Sequence, residues 1–154
     1  MSIKSFKKQG GFTLLELLIV IVIIGILALL IIPNITSAPK KARDTKRKTD
    51  VTTVRKSLEE YFVNNNVYPS SSGSLGASGV LAELQAGSAP ILKTIPTDPK
   101  NSGVYVYTYT PANTDSTYTL KACLENDADN GANTATDAAC GSATAKNFTV
   151  VNGN

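Results

Sequence analysis

The chain has 154 residues, room for one domain, with ordinary apolar content but no His, no Trp and only two Cys. Without His it lacks the commonest general base and metal ligand, and no paired carboxylates, nucleophile–base set or phosphate loop stands in, so no enzyme is expected. The net charge is +3, yet Lys4, Lys7 and Lys8 lie in the first ten residues; beyond them twelve basic residues face twelve acidic ones, which gives no argument for nucleic acid.

From Phe12 to Ile32 the sequence reads FTLLELLIVIVIIGILALLII, where only Thr13, Glu16 and Gly25 are not apolar. As a helix this covers roughly 32 Å, enough for a hydrocarbon core of about 30 Å. A buried helix of a soluble protein is a poor alternative, because so small a domain has too little mass to surround it. A secretory signal peptide fits no better: the apolar run is too long, and the nearest small-residue site, Thr36-Ser37-Ala38, is followed by Pro39.

Beyond Pro33 the helix is expected to resume. Val51, Val54, Leu58 and Phe62 recur at three-and-four spacing with charged residues between them, the pattern of an amphipathic helix from about Lys40 to Val63. Pro33 and Pro39 disturb it, and Asn64-Asn65-Asn66 with Pro69 end it. SSSGSLGASG (Ser70 to Gly79) reads as a loop, and Val80, Leu81 and Leu84 as a short helix. After the turn-rich IPTDPKNSG, the alternation in VYVYTYT (Val104 to Thr110) predicts a strand with Tyr105, Tyr107 and Tyr109 on one face. Further strands are expected at Thr117 to Cys123 and Asn147 to Val151, with NDADNGANTATDAA between them as a loop.

The leader KSFKKQGG followed by FTLLEL resembles the processing site of type IV pilins and pseudopilins: a short basic leader, Gly before the cut, then Phe-Thr-Leu-x-Glu opening an apolar helix. The resemblance implies cleavage between Gly11 and Phe12 by a prepilin peptidase and methylation of the new Phe12 amine. It also implies assembly through Phe12 and Glu16, with Glu16 pairing a neighbouring subunit's N-terminus. A charge inside lipid costs about 2.5 to 3.5 kcal/mol, so Glu16 needs either such a partner or hydration near the interface. Gly25 and Pro33 are expected to disturb the helix, or merely to be tolerated in it.

LEEYFVNNNVYP (Leu58 to Pro69) and LKTIPTDP (Leu92 to Pro99) resemble the helix end and turn of the major pseudopilin of type II secretion, although Lys100 stands where an aromatic usually follows. The expected fold is α+β, a long N-terminal helix packed on a small antiparallel sheet. The expected organisation is a leader at 1–11, a transmembrane and filament-core helix at 12–33, its soluble amphipathic half at 34–65, a Ser/Gly-rich connection with a short helix at 66–103, and a sheet with a disulfide-bounded loop at 104–154. Implied partners are identical or related pilin subunits, the prepilin peptidase, an inner-membrane assembly platform and membrane lipid. Implied location is the cytoplasmic membrane for a single-pass precursor, then a periplasmic or extracellular filament.

Lys40, Lys41, Arg43, Lys46, Arg47 and Lys48 outnumber the leader lysines, so the positive-inside rule by itself predicts the opposite orientation. The leader's need to face a cytoplasmic peptidase and the cysteines' need for an oxidising compartment favour N-terminus-inside. An alternative function is a minor pilin that binds DNA or a surface through this basic segment or through its soluble loops, such as the Ser-rich one. The charges of the basic segment fall on nearly every helix face and no aromatic is interleaved, which favours a solvated segment in which Asp44 pairs with Lys48.

Cys123 and Cys140 flank the polar loop; a disulfide there is worth roughly 3 kcal/mol, and two free buried thiols are the alternative. Related pseudopilins bind calcium in this region, which makes Asp127, Asp129 and Asp137 weak calcium candidates; no other cofactor is expected. Their Asp-x-Asp-Asn-Gly run is not a full EF-hand, since its Gly comes one place too early.

Overall fold

The computed structural model describes residues 11–75, 79–112 and 116–152, without the side chains of 30–36. Lys4, Lys7 and Lys8 of the leader lie outside the described residues. The chain forms two compact units, Met1–Ala38 and Pro39–Asn154.

Helix α1 is assigned as one element, Leu14–Asn65, that includes Pro33 and Pro39. In the first unit its surface is bare: Phe12 and the large apolar residues from Leu14 to Leu29 are 46% to 85% exposed. A Cβ added at Gly25 would meet nothing. Among the described residues no helix is long and apolar enough to cross a membrane. Because the side chains of residues 30–36 are not among those described, the expected span from Phe12 to Ile32 lies partly outside them.

In the second unit α1 buries one stripe. Val51, Val54 and Leu58 are fully buried, as their spacing predicts, each burial contributing about 1.5 to 3 kcal/mol. Phe62 is only half-buried and stacks on Tyr68 at 4.6 Å between ring centroids. The helix stops because Asn66 takes a left-handed conformation (φ 58°) and returns its N–H to the Phe62 carbonyl at 2.7 Å.

The sheet is wholly antiparallel. Its strands are β1 (Gly73–Ser74), β2 (Thr108–Pro111), β3 (Tyr118–Cys123), β4 (Thr134–Thr136) and β5 (Lys146–Asn152), in the spatial order β1-β2-β3-β5-β4. Tyr109, Leu120 and Val150 are in register across the centre of its buried face, with Ala122 opposite Phe148 beside them. This face forms one core with Val51, Val54 and Leu58. A one-residue slip of β3 would turn Tyr118, Leu120 and Ala122 outward, which fixes the register.

Four expectations need correction. The strand forecast at Val104 to Thr110 begins only at Thr108; Val104 to Tyr107 forms a turn and an isolated bridge, Ser102 to Tyr105. The Ser/Gly stretch contributes β1, and the forecast loop at 126–139 contains β4 and the start of a 3-10 turn, Ala138–Cys140. Both strands are edge strands too short to show an alternation. The short helix is a 3-10 turn at Ala82–Gln85 that buries Leu84.

Candidate functional site

At the N-terminus, Gly11, Phe12 and Thr13 precede the helix. Thr13 caps it: Glu16 Oε2 accepts from the Thr13 N–H and hydroxyl, both at 2.9 Å, and the Glu16 N–H donates to Thr13 Oγ1 at 3.2 Å. This is a reciprocal capping box, and its T-x-x-E spacing was legible in the sequence. The cap fixes the start of α1 at Leu14 and leaves the Gly11–Phe12 bond in non-helical chain. Glu16 thus has a partner within its own chain, while its Oε1 takes no hydrogen bond among the described residues.

The basic cluster beyond Ala38 is where the structure departs most from the sequence reading. Arg47 is fully buried, and its guanidinium meets three carboxylates from three segments. Nε and Nη2 reach Asp98 at 2.6 and 3.0 Å, and Nη1 reaches Asp44 at 2.7 Å and Glu125 at 2.8 Å. Arg43 forks onto Glu125 with two bonds of 2.6 Å, and Lys100 reaches Glu125 at 3.0 Å. Three cations and three anions therefore balance. Tyr105 lies against the cluster, its ring centroid 4.7 Å from Arg47 and 4.4 Å from Lys100.

Each anion is also tied to the backbone or to a cation that suits it. Asp44 accepts from the N–H groups of Glu125 and Asn126, both at 2.9 Å, fixing the chain as it leaves β3. Asp98 accepts from the Lys100 and Asn101 N–H groups at 2.8 and 3.3 Å, closing the turn of the PTDP stretch. The fork from Arg43, with further bonds from Arg47 and Lys100, holds the Glu125 carboxyl well below the usual range despite burial. Burial opposes the charge on Arg47, but Asp98, Asp44 and Glu125 outweigh it and its pKa is raised.

The expected Asp44–Lys48 pair is corrected: Asp44 turns to Arg47, and Lys48 pairs with Asp129 at 2.6 Å. Arg43, Arg47 and Lys48 are thereby spent inside the domain, leaving Lys40, Lys41 and Lys46 exposed. Lys100, out of place as a substitute for an aromatic, has its role here as a cation on both Glu125 and Tyr105.

Cys123 and Cys140 form a disulfide, with Cα atoms 5.4 Å apart. The three calcium candidates do not converge. Asp127 is exposed, Asp129 faces Lys48, and Asp137 faces Lys121 at 3.0 Å. Among the described residues no group of three or more acidic, Cys or His side chains is placed to hold a metal.

An apolar helix opened by a capped Phe-Thr-x-x-Glu motif and followed by a helix-on-sheet domain defines a pilin-like α+β protein. The family model for the prokaryotic N-terminal methylation motif matches residues 6–32, and that for type II secretion system protein G matches residues 34–140. The chain belongs to the type II secretion system protein G family. It is 42% identical over 74 residues to type II secretion system core protein G of Vibrio cholerae, covering 48% of this chain and 51% of that one. It is 41% identical over 71 residues to the protein of that name from Pseudomonas aeruginosa, covering 46% and 50%. Against that of Escherichia coli K12 it is 37% identical over 101 residues, covering 62% and 70%. The chain spans about half the length of the first two relatives. No solved structure gives a significant match.

Proposed function

We propose that this chain is a structural, non-catalytic subunit of a type II secretion pseudopilus. It is made as a single-pass precursor in the cytoplasmic membrane with its N-terminus inside, cut between Gly11 and Phe12, and methylated on the Phe12 amine. It then polymerises with identical or related subunits by burying residues 12–32 in the filament core, working with a prepilin peptidase and an inner-membrane assembly platform.

The observation that carries this reading is the surface of α1 up to Leu29, apolar, bare and interrupted among the described residues by one charge, Glu16. Such a surface needs lipid or copies of itself around it. Glu16 is suited to both stages. Its bonds to Thr13 lessen the cost of placing a carboxylate in lipid, and both fall on Oε2, which leaves Oε1 for the cationic amine of a neighbouring Phe12.

The test is co-expression with a prepilin peptidase and an assembly machinery. Gly11 cleavage is read from the mass of the mature N-terminus, and assembly from sheared filaments. Glu16→Ala is expected to leave precursor level, membrane insertion and cleavage intact while abolishing filaments. Normal filaments from Glu16→Ala would overturn the pairing mechanism.

A further inference from the structure

The acidic segment between β3 and β5 is held at two points and closed by a covalent bond. At the first point Lys48, on α1, places its ammonium 2.6 Å from Asp129 Oδ2. The other oxygen of Asp129 accepts the Gly131 N–H at 2.9 Å, and the Thr134 hydroxyl donates to the Gly131 carbonyl at 2.6 Å, closing the turn. The turn fits tightly around the ammonium: a Cβ at Gly131 would sit 3.3 Å from Lys48 Nζ and 3.1 Å from Asp129 Oδ1.

At the second point Lys121, on β3, reaches Asp137 Oδ2 at 3.0 Å. That same oxygen accepts from Asn147 Nδ2 at 2.9 Å, and Asp137 Oδ1 caps the 3-10 turn through the Ala139 N–H at 2.9 Å. The Cys123–Cys140 disulfide joins β3 to the end of that turn. Calcium takes six to eight oxygen ligands with carboxylates among them. Here two of the three Asp carboxylates already face ammonium groups that would repel a divalent ion, and Asp127 stands apart. Asn147 Oδ1 is buried and unpaired, but one oxygen is far short of a coordination shell.

We infer that this loop is held by cations from the chain itself, the ammonium groups of Lys48 and Lys121, together with the disulfide, so that the fold of this subunit is independent of calcium and dependent on oxidation. The lysine on α1 does what a loop-bound ion would do, with one difference: it anchors the loop to the helix rather than only to itself. An internal ammonium cannot be chelated, whereas the disulfide can be reduced.

The test is thermal melting of the full-length chain in detergent at neutral pH, a readout that does not depend on assembly. EDTA and added calcium chloride are expected to leave the midpoint unmoved, and dithiothreitol to lower it by several degrees. Lys48→Met is expected to lower it as well, with Lys48→Arg recovering part of the loss. A midpoint that falls with EDTA or rises with calcium overturns the inference, as does one that ignores dithiothreitol or a Lys48→Met chain that melts like the parent. Should Lys48→Met fail to fold, the EDTA, calcium and dithiothreitol measurements on the parent chain decide the matter.

Discussion

Arg47 looks in the sequence like any charged residue on an exposed helix face, flanked by Lys46 and Lys48. Its burial follows from partners 51 and 78 positions away, Asp98 and Glu125, which no local spacing connects to it. A buried charge of this kind is costly to leave unpaired, and removing one member strands the others. Arg47→Met is therefore expected to cost about 3 to 5 kcal/mol in urea unfolding, because Asp44 and Asp98 would remain buried without the cation they share, while Glu125 keeps Arg43 and Lys100. Arg43 is about a third exposed and shares Glu125 with Lys100, so Arg43→Met should cost only about 1 kcal/mol or less. Equal losses from the two variants would show that Arg47 is not the centre of the cluster. Two residue-scale features were within reach of the sequence: the T-x-x-E cap at Thr13 and Glu16, and Asp98 in a Pro-Thr-Asp-Pro turn where an Asx bond is common.

At the scale of elements, legibility follows length and periodicity. The stripe Val51, Val54 and Leu58 and the alternation of β3 were both readable, because each repeats often enough to distinguish one face from the other. Strand β2 was placed four residues too early because Val104 to Thr110 alternates throughout, while pairing with β3 begins only at Thr108. Tyr105, outside the strand, bridges Ser102 and packs its ring against Arg47 and Lys100. Two- and three-residue strands such as β1 and β4 carry no period, and they exist only because β2 and β5 offer them an edge. The helix stripe is the element on which the sheet is built. Leu58→Ala is expected to cost about 2 to 5 kcal/mol, whereas Val63→Ala, at a position 77% exposed, should stay within about 0.5 kcal/mol; paired denaturation curves check both.

For the whole molecule the polar groups within the core predict how stability depends on pH. Glu125 is held low by Arg43 and its other partners, Asp129 by Lys48, and Asp137 by Lys121. Their contribution is complete above the ordinary carboxyl range near 4.5 and 3.8, and is lost as pH falls through the depressed values of the folded state. The tyrosines act in the opposite sense. Burial, with the carboxylate of Glu59, pushes Tyr68 up to about 12 and Tyr118 higher, and burial beside Asp50 does the same to Tyr107. Their contribution is complete below pH 10 and is lost as pH rises beyond it. A melting temperature flat through neutrality that falls on both sides is expected. One that rises on acidification below about pH 4 would contradict the carboxylate assignments.

The sequence by itself determined the apolar helix, its processing motif, the amphipathic stripe, the two main strands and the cysteine pair, because each is written in consecutive residues or in a short period. Only the tertiary structure decided what the charges do. Ion pairs join residues by proximity in space, and here α1 crosses three loops and strands that lie up to 82 positions away along the chain. That crossing makes Arg47, which read as one cation of a solvated surface, the buried joint of the domain, while Asp129 and Asp137, which read as weak calcium candidates, face lysines.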